Sequence, residues 1–292
     1  MVTAGEYANE ALLLSKLTHN GGVFRRQYDF ERNLVDTPSW HIHMKHYWHY
    51  SIYTSVVYII LIFSIQRYMR DRPKFHLRGP LVAWNLVLAI FSMWGSVRTS
   101  LDLFIIIKED GFYASVCDSK YFTPSAGSAI SFWGVLFVLS KYPELIDTFF
   151  IVLRKQKLIF LHWYHHATVL VYCCLCHSEY AAPAYWFLTM NFTVHAFMYL
   201  YYAIRATGYR VPLKVNIVIT SLQITQMVVG CGVLIYAYAM KTKGYGCDVS
   251  DFNLTYGGLM YLSYFILFAN FFYHTYFGKG TYSIKQALKK RE

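Results

Sequence analysis

Val215-Asn-Ile-Val-Ile-Thr-Ser-Leu-Gln-Ile-Thr-Gln-Met-Val-Val-Gly-Cys-Gly-Val-Leu-Ile-Tyr-Ala-Tyr-Ala-Met240 runs for 26 residues without a charged side chain, between Lys214 and Lys241. About 20 apolar residues in helical form cross the hydrocarbon layer of a bilayer, so this stretch reads as a membrane span. Six further stretches have the same character: Tyr47 to Ile65, Pro80 to Ile107, Ile130 to Leu153, Leu158 to Cys176, Ala184 to Ile204 and Gly257 to Phe277. Of 292 residues, 56% are hydrophobic and 15% charged, against about 25% charged in soluble domains. An ordinary soluble enzyme, a secreted disulfide scaffold and a disordered chain are excluded. The expected fold is all-α, a polytopic membrane protein with seven transmembrane helices.

The net charge of +11 does not point to nucleic acid, because the basic residues fall between the apolar runs. Arg67, Arg70, Arg72, Lys74 and Arg78 follow the first span, Arg154, Lys155 and Lys157 the third, Arg205, Arg210 and Lys214 the fifth, and Lys279, Lys285, Lys289, Lys290 and Arg291 the seventh. The alternate loops carry few cations, so the basic side is predicted to be cytoplasmic. The chain then divides into a lumenal or interfacial arm (1–46), a membrane domain (47–277) and a cytoplasmic tail (278–292). Lys289 and Lys290, fourth and third from the C-terminus, have the form of a dilysine retrieval signal for the endoplasmic reticulum. Cys117 and Cys247 fall in lumenal loops and are predicted to pair. Asn253-Leu-Thr255 is a glycosylation acceptor pattern on the same side.

Ionisable groups inside spans are costly and usually face a cavity with a purpose. Lys141, Glu144, Asp147 and Thr148 recur at helical spacing and are expected on one face. His162, His165 and His166 form HxxHH; Asn191, His195, Tyr199 and Tyr202 align on the fifth span, and Thr220, Gln223 and Gln226 on the sixth. Arg98 and Asp102, spaced i, i+4, read as a structural pair. The third span ends and the fourth begins at the cytoplasmic face, so the stripes are expected to line a pocket entered from there, with an apolar cavity beyond.

Three chemistries suit such histidines. A two-iron oxidase site needs about eight histidines in several boxes, and the spans supply too few; the cluster His41, His43, His46 and His49 lies at the other side and reads as an interfacial arm. Zinc held by His162 and His166 lacks the glutamate of HExxH. Covalent catalysis, in which an imidazole carries an acyl group, needs neither metal nor tightly bound cofactor.

The stretches Lys141-Tyr-Pro-Glu144-Leu-Ile-Asp147-Thr148, His162-Trp-Tyr-His165-His166, His195-Ala-Phe-Met198-Tyr199-Leu-Tyr201-Tyr202 and Thr220-Ser-Leu-Gln223-Ile-Thr-Gln226 resemble, in order and without mismatch, the signature motifs KxxExxDT, HxxHH, HxxMYxYY and TxxQxxQ of the very-long-chain fatty acid elongase family. The resemblance covers roughly residues 45 to 292. It implies a seven-helix protein of the endoplasmic reticulum membrane, with six helices enclosing a substrate tunnel. It also implies condensation of acyl-CoA with malonyl-CoA to 3-oxoacyl-CoA, CO2 and CoA. Arg154, Lys155, Lys157, Arg205, Arg210 and Lys214 are then expected to meet CoA phosphates. His165 is expected to be the nucleophile, with His195 facing it and His162 and His166 orienting it or exchanging protons. Asn191 and Gln226 would supply polar contacts, Lys141, Glu144 and Asp147 would hold the motif helices and tune the imidazoles, and Tyr199, Tyr202 and Gln223 would support the motifs. Lys157, five residues before the box, resembles the saturated and monounsaturated branch, with substrates near palmitoyl length. The reductases and dehydratase of the elongation cycle are implied partners, and self-association is compatible with the pattern. The runner-up reading is an acyl-lipid carrier or receptor without chemistry.

Overall fold

The computed structural model describes residues 27–123 and 126–277; the dilysine Lys289 and Lys290 lie outside them. Among the described residues the chain is helical, with no strand. Ten α-helices follow one another among the described residues, with one short 3-10 turn (Ser119–Phe122) after the fourth: α1 (Asp29–Asn33), α2 (Thr37–Tyr47), α3 (Tyr50–Tyr68), α4 (Arg78–Cys117), α5 (Ala129–Glu144), α6 (Ile146–Leu153), α7 (Phe160–Glu179), α8 (Ala184–Ala206), α9 (Leu213–Thr242) and α10 (Asp251–Tyr276). Four of them, α3, α4, α9 and α10, are long and apolar enough to cross a membrane by length and composition. The helices between carry the polar stripes; α5 and α6, of 16 and 8 residues, are each too short alone, and many side chains of α5, α7 and α8 are buried among the others.

Local signals account for the ends. Asp36 accepts from the Ser39 amide at the start of α2, Ser128 from Ile130 at α5 and Ser250 from Asn253 at α10, each supplying an acceptor that a first turn lacks. Pro183 and Pro212 sit at the N-caps of α8 and α9. Pro143 cannot donate into a helical ladder, and the third apolar run breaks just after it: α5 ends at Glu144, α6 begins at Ile146, and the Leu145 amide turns back to the Tyr142 carbonyl. The second run extends beyond its sequence-based end at Ile107. Lys108, Glu109 and Asp110 remain helical up to Gly111, whose φ of 86° interrupts α4 at a conformation that favours glycine.

Packing is closest between α4 and α8, and between α9 and α10, while α7 lies centrally, touching α2, α3, α5, α8 and α10. At the end remote from the basic loops, Cys117 and Cys247 form a disulfide joining the end of α4 to the loop before α10. Asn253 is fully buried there; its amide lies near the Cys176 sulfur and donates to Glu179 (3.3 Å), so the asparagine of the acceptor pattern is enclosed although Thr255 is exposed.

The described part of the arm is built into the fold. Ile42 is fully buried, and His41 stacks on Tyr180 at 3.5 Å between centroids with its Nδ1 3.1 Å from the His177 carbonyl. Arg98 does not pair with Asp102. Its guanidinium forks onto Glu31, with both contacts 2.8 Å, and Glu31 also accepts from Trp133 Nε1 and the Tyr28 amide. Asp102 instead accepts from Ser128 and Tyr185. The i, i+4 spacing permitted the first pairing, but a planar fork bonding both oxygens of one carboxylate is the stronger arrangement. Burial pushes the Glu31 carboxyl up, yet the bonds from Arg98, Tyr28 and Trp133 prevail and hold it below the ordinary glutamate value.

Candidate active site

Two adjoining cavities run along α7. The outer one, about 510 Å³, opens among the basic loops between α4, α6, α7, α8, α9 and α10. The inner one is a narrower slot toward the disulfide end, lined mostly by aromatic, aliphatic and thiol side chains from α5 and α7 to α10. His165, Asn191, Gln226 and Met227 line both. The junction therefore holds one histidine of the box, while His162, His166 and His195 line only the outer chamber.

The break after Pro143 decides how the acidic stripe is used. Lys141, Glu144, Asp147 and Thr148 do not act as one face; they fan out to four neighbouring helices, α3, α4, α7 and α8. Lys141 Nζ donates to Glu144 Oε1 (2.7 Å) and to Asn191 Oδ1 (3.0 Å), both partners buried. Ser140 also donates to Glu144 Oε1, at 3.1 Å. Asp147 accepts from Trp84 Nε1 (2.6 Å) and from the Tyr199 hydroxyl (2.7 Å), which ties α6 to α4 and α8. Thr148 lies 3.0 Å from His162 Nε2 and 2.6 Å from the Tyr58 hydroxyl.

The Lys141 contact orients the rest. An ammonium only donates, so the Asn191 atom facing it is the carbonyl oxygen and the amide Nδ2 faces His195 Nε2, 3.1 Å away. His195 Nε2 is then the acceptor, which puts the ring proton on Nδ1. Glu144 Oε2 lies 3.9 Å from that nitrogen and is a buried oxygen with no hydrogen-bond partner among the described residues. A modest approach would close this gap into a charge-assisted bond whenever the ring is protonated.

His165 is arranged differently. Among the described residues its imidazole nitrogens make no hydrogen bond, whereas its backbone carbonyl accepts from the Tyr264 hydroxyl (3.3 Å), and Tyr264 is in turn 2.6 Å from Thr168 Oγ1. The ring packs against Tyr264 at 4.8 Å and against His166 at 5.6 Å between centroids. The helix backbone is held while the ring nitrogens stay uncommitted. His162 and His166 pack at 4.5 Å.

The other expected residues sort by position. Tyr202 and Gln223 line the outer chamber, and Gln223 Nε2 contacts Met198 Sδ at 3.3 Å. Thr220 bonds within α9 and to Tyr276 and lies off both cavities. Arg154 and Arg205 line the outer mouth. Lys155 is spent on the carbonyls of Arg70 and Arg72, both 2.9 Å away. Lys157, Arg210 and Lys214 are exposed beyond the lining. Trp84, Tyr58 and Tyr264 were not singled out from sequence; each reaches its partner across helices and carries no local pattern. Among the described residues no group of three His, Cys, Asp or Glu side chains is arranged to hold a metal ion.

A family model described as the GNS1/SUR4 family, ELO, matches residues 43–283. The chain belongs to this family. Similar proteins include very long chain fatty acid elongase 6 of Gallus gallus, 46% identical over 258 residues that span 88% of this chain and 95% of the relative. The protein of that name in Homo sapiens is 44% identical over 87% of this chain and 94% of its own length. That of Drosophila melanogaster is 44% identical over 87% and 80%. Membership of the GNS1/SUR4 family makes the chain a multi-pass membrane protein of fatty acid elongation. All four polar stretches fall inside the match, and Glu31, which anchors the arm, lies before it.

Proposed function

We propose that the protein is a 3-oxoacyl-CoA synthase, condensing a long-chain saturated or monounsaturated acyl-CoA with malonyl-CoA through an acyl group carried on His165. The observation that carries this reading is the position of His165 at the junction of a polar chamber and an apolar slot, the one histidine of the box lining both. A fatty acyl thioester has that division: an apolar chain, a reactive carbonyl, and a polar anionic carrier. With the chain in the slot and CoA in the outer chamber, Arg154 and Arg205 face the carrier's phosphates.

In the first stage a ring nitrogen of His165 attacks the thioester carbonyl, the carbon–sulfur bond breaks, and CoA leaves with the imidazole proton. In the second, malonyl-CoA loses CO2, and its enolate carbon attacks the acyl-imidazole; the carbon–nitrogen bond breaks and the ring takes a proton from solvent. Apolar walls exclude water from the acyl-imidazole. His195, whose Nε2 lone pair is occupied by Asn191, serves as a positioned partner rather than a second nucleophile.

The membrane setting we infer has seven spans: α3, α4, the broken α5–α6 rod, α7, α8, α9 and α10. The basic loops and the C-terminus face the cytoplasm, and Lys289 with Lys290 returns the protein to the endoplasmic reticulum, beside the reductases and dehydratase that would consume its product. Lys157 before the box favours the saturated and monounsaturated branch, with chains near palmitoyl length. Incubating purified protein with palmitoyl-CoA and labelled malonyl-CoA tests the reaction. Matched release of CO2 and 3-oxoacyl-CoA is expected; acyl-CoA binding without product would favour a carrier instead.

A further inference from the structure

The deep end of the inner slot is not purely apolar. His177 lies there, buried, and its Nε2 has no hydrogen-bond partner among the described residues. The ring is held from outside the slot: its edge meets Tyr180 at 5.5 Å and His41 at 6.1 Å between centroids, and the arm's His41 reaches the His177 carbonyl. Among the other lining groups Phe122, Gly134 and Ala184 carry no side-chain polar atom and Cys173 and Cys176 offer only thiols, while the Tyr172 hydroxyl, also buried without a partner among the described residues, sits five residues nearer His165 on the helix. A buried ring nitrogen left unpaired is destabilising. A water molecule does not settle there readily, because a buried water needs about three polar partners. The methyl end of an ordinary acyl chain leaves the nitrogen unpaired as well.

We propose that this floor accepts acyl chains bearing a hydroxyl at the far end, so that ω-hydroxyacyl-CoAs are substrates alongside unsubstituted ones. The inference rests on the condensation reading above, which places the carbonyl at His165. Twelve residues of α7 separate His165 from His177, a depth of about 18 Å along the helix, comparable with an extended chain of palmitoyl length. A hydroxyl both donates and accepts, so it pairs with Nε2 in either neutral tautomer of His177. Delivered on the chain, it needs no second partner to hold it in place.

The test uses the full-length protein in detergent with malonyl-CoA and matched pairs of lauroyl-, myristoyl- and palmitoyl-CoA and their ω-hydroxy counterparts. Each kcat/KM is measured for the unaltered protein, His177→Phe and His177→Gln. At the chain length that spans the slot, the unaltered protein is expected to use the ω-hydroxy chain at least as well as its parent. His177→Phe should lower the ratio of hydroxy to parent by about tenfold, and His177→Gln, which keeps a hydrogen-bonding group, should restore much of it. An unaltered protein that extends palmitoyl-CoA but disfavours every ω-hydroxy chain by tenfold or more overturns the inference, and this holds even where His177→Phe does not fold. A ratio that is the same in the unaltered protein and His177→Phe overturns it too. Turnover of none of the chains overturns the condensation reading and this inference with it.

Discussion

Lys141 Nζ lies 3.0 Å from Asn191 Oδ1, and this one contact sets the direction of the hydrogen-bond chain that ends on His195. Because the ammonium can only donate, Asn191 turns its amide toward His195 Nε2 and the imidazole proton is left facing Glu144. A lysine and a histidine on different helices thus share one tautomeric arrangement through an asparagine.

Asn191→Leu removes the donor to His195 Nε2 while keeping the volume apolar. Loss of a buried hydrogen bond of about 1–3 kcal/mol corresponds to a fall in kcat of about 10- to 100-fold. KM for acyl-CoA should change little, since the slot walls remain. Steady-state rates check this; an unchanged kcat would contradict the role given to the Lys141–Asn191–His195 chain.

Lys141→Met leaves Glu144 buried without its cation. Breaking a buried pair costs about 3–5 kcal/mol, so the variant should unfold at markedly lower temperature. The double variant Lys141→Met, Glu144→Gln, with no buried charge, should recover part of that loss. Thermal unfolding in detergent measures both, and a double variant no more stable than Lys141→Met would argue that the cost is steric.

Glu31→Gln tests the docking of the arm. The carboxyl is held below its ordinary value in the folded protein, so its contribution to stability is present above the pKa of the unfolded chain and is lost as pH falls through the folded value. The gap in unfolding temperature between the unaltered protein and Glu31→Gln should be full at neutral pH and close well below pH about 4.3, the ordinary glutamate value. A gap independent of pH would contradict an ionised Glu31.

Cys117→Ser with Cys247→Ser opens the cross-link between the end of α4 and the loop before α10. Removing such a bond costs about 2–5 kcal/mol, yet neither residue lines a cavity. The variant should therefore melt earlier while retaining its condensation rate at low temperature.

Much of the site was legible in the chain because it is written in local spacing. HxxHH and the stripe Asn191, His195, Tyr199 follow from helical periodicity and survive as cavity-lining faces. The acidic stripe shows where that logic stops. Pro143 was visible, but its consequence, a break that sends Lys141 and Glu144 to α8, Asp147 to Trp84 and Thr148 to Tyr58, depends on which helices stand alongside. Glu31 is the clearest omission: 67 residues from Arg98, in an arm with no motif, it displaced the nearer Asp102. Pairings across helices carry no period, and only the assembled packing selects among them.

The most direct test of the account is an acyl group on His165. Purified protein incubated with palmitoyl-CoA alone, without malonyl-CoA, should release CoA in a burst and gain one palmitoyl mass, with the adduct mapped to the peptide bearing His165. The adduct should discharge on adding malonyl-CoA and should not form in His165→Ala. Full condensation by His165→Ala, or an adduct mapped to a cysteine, would contradict the account.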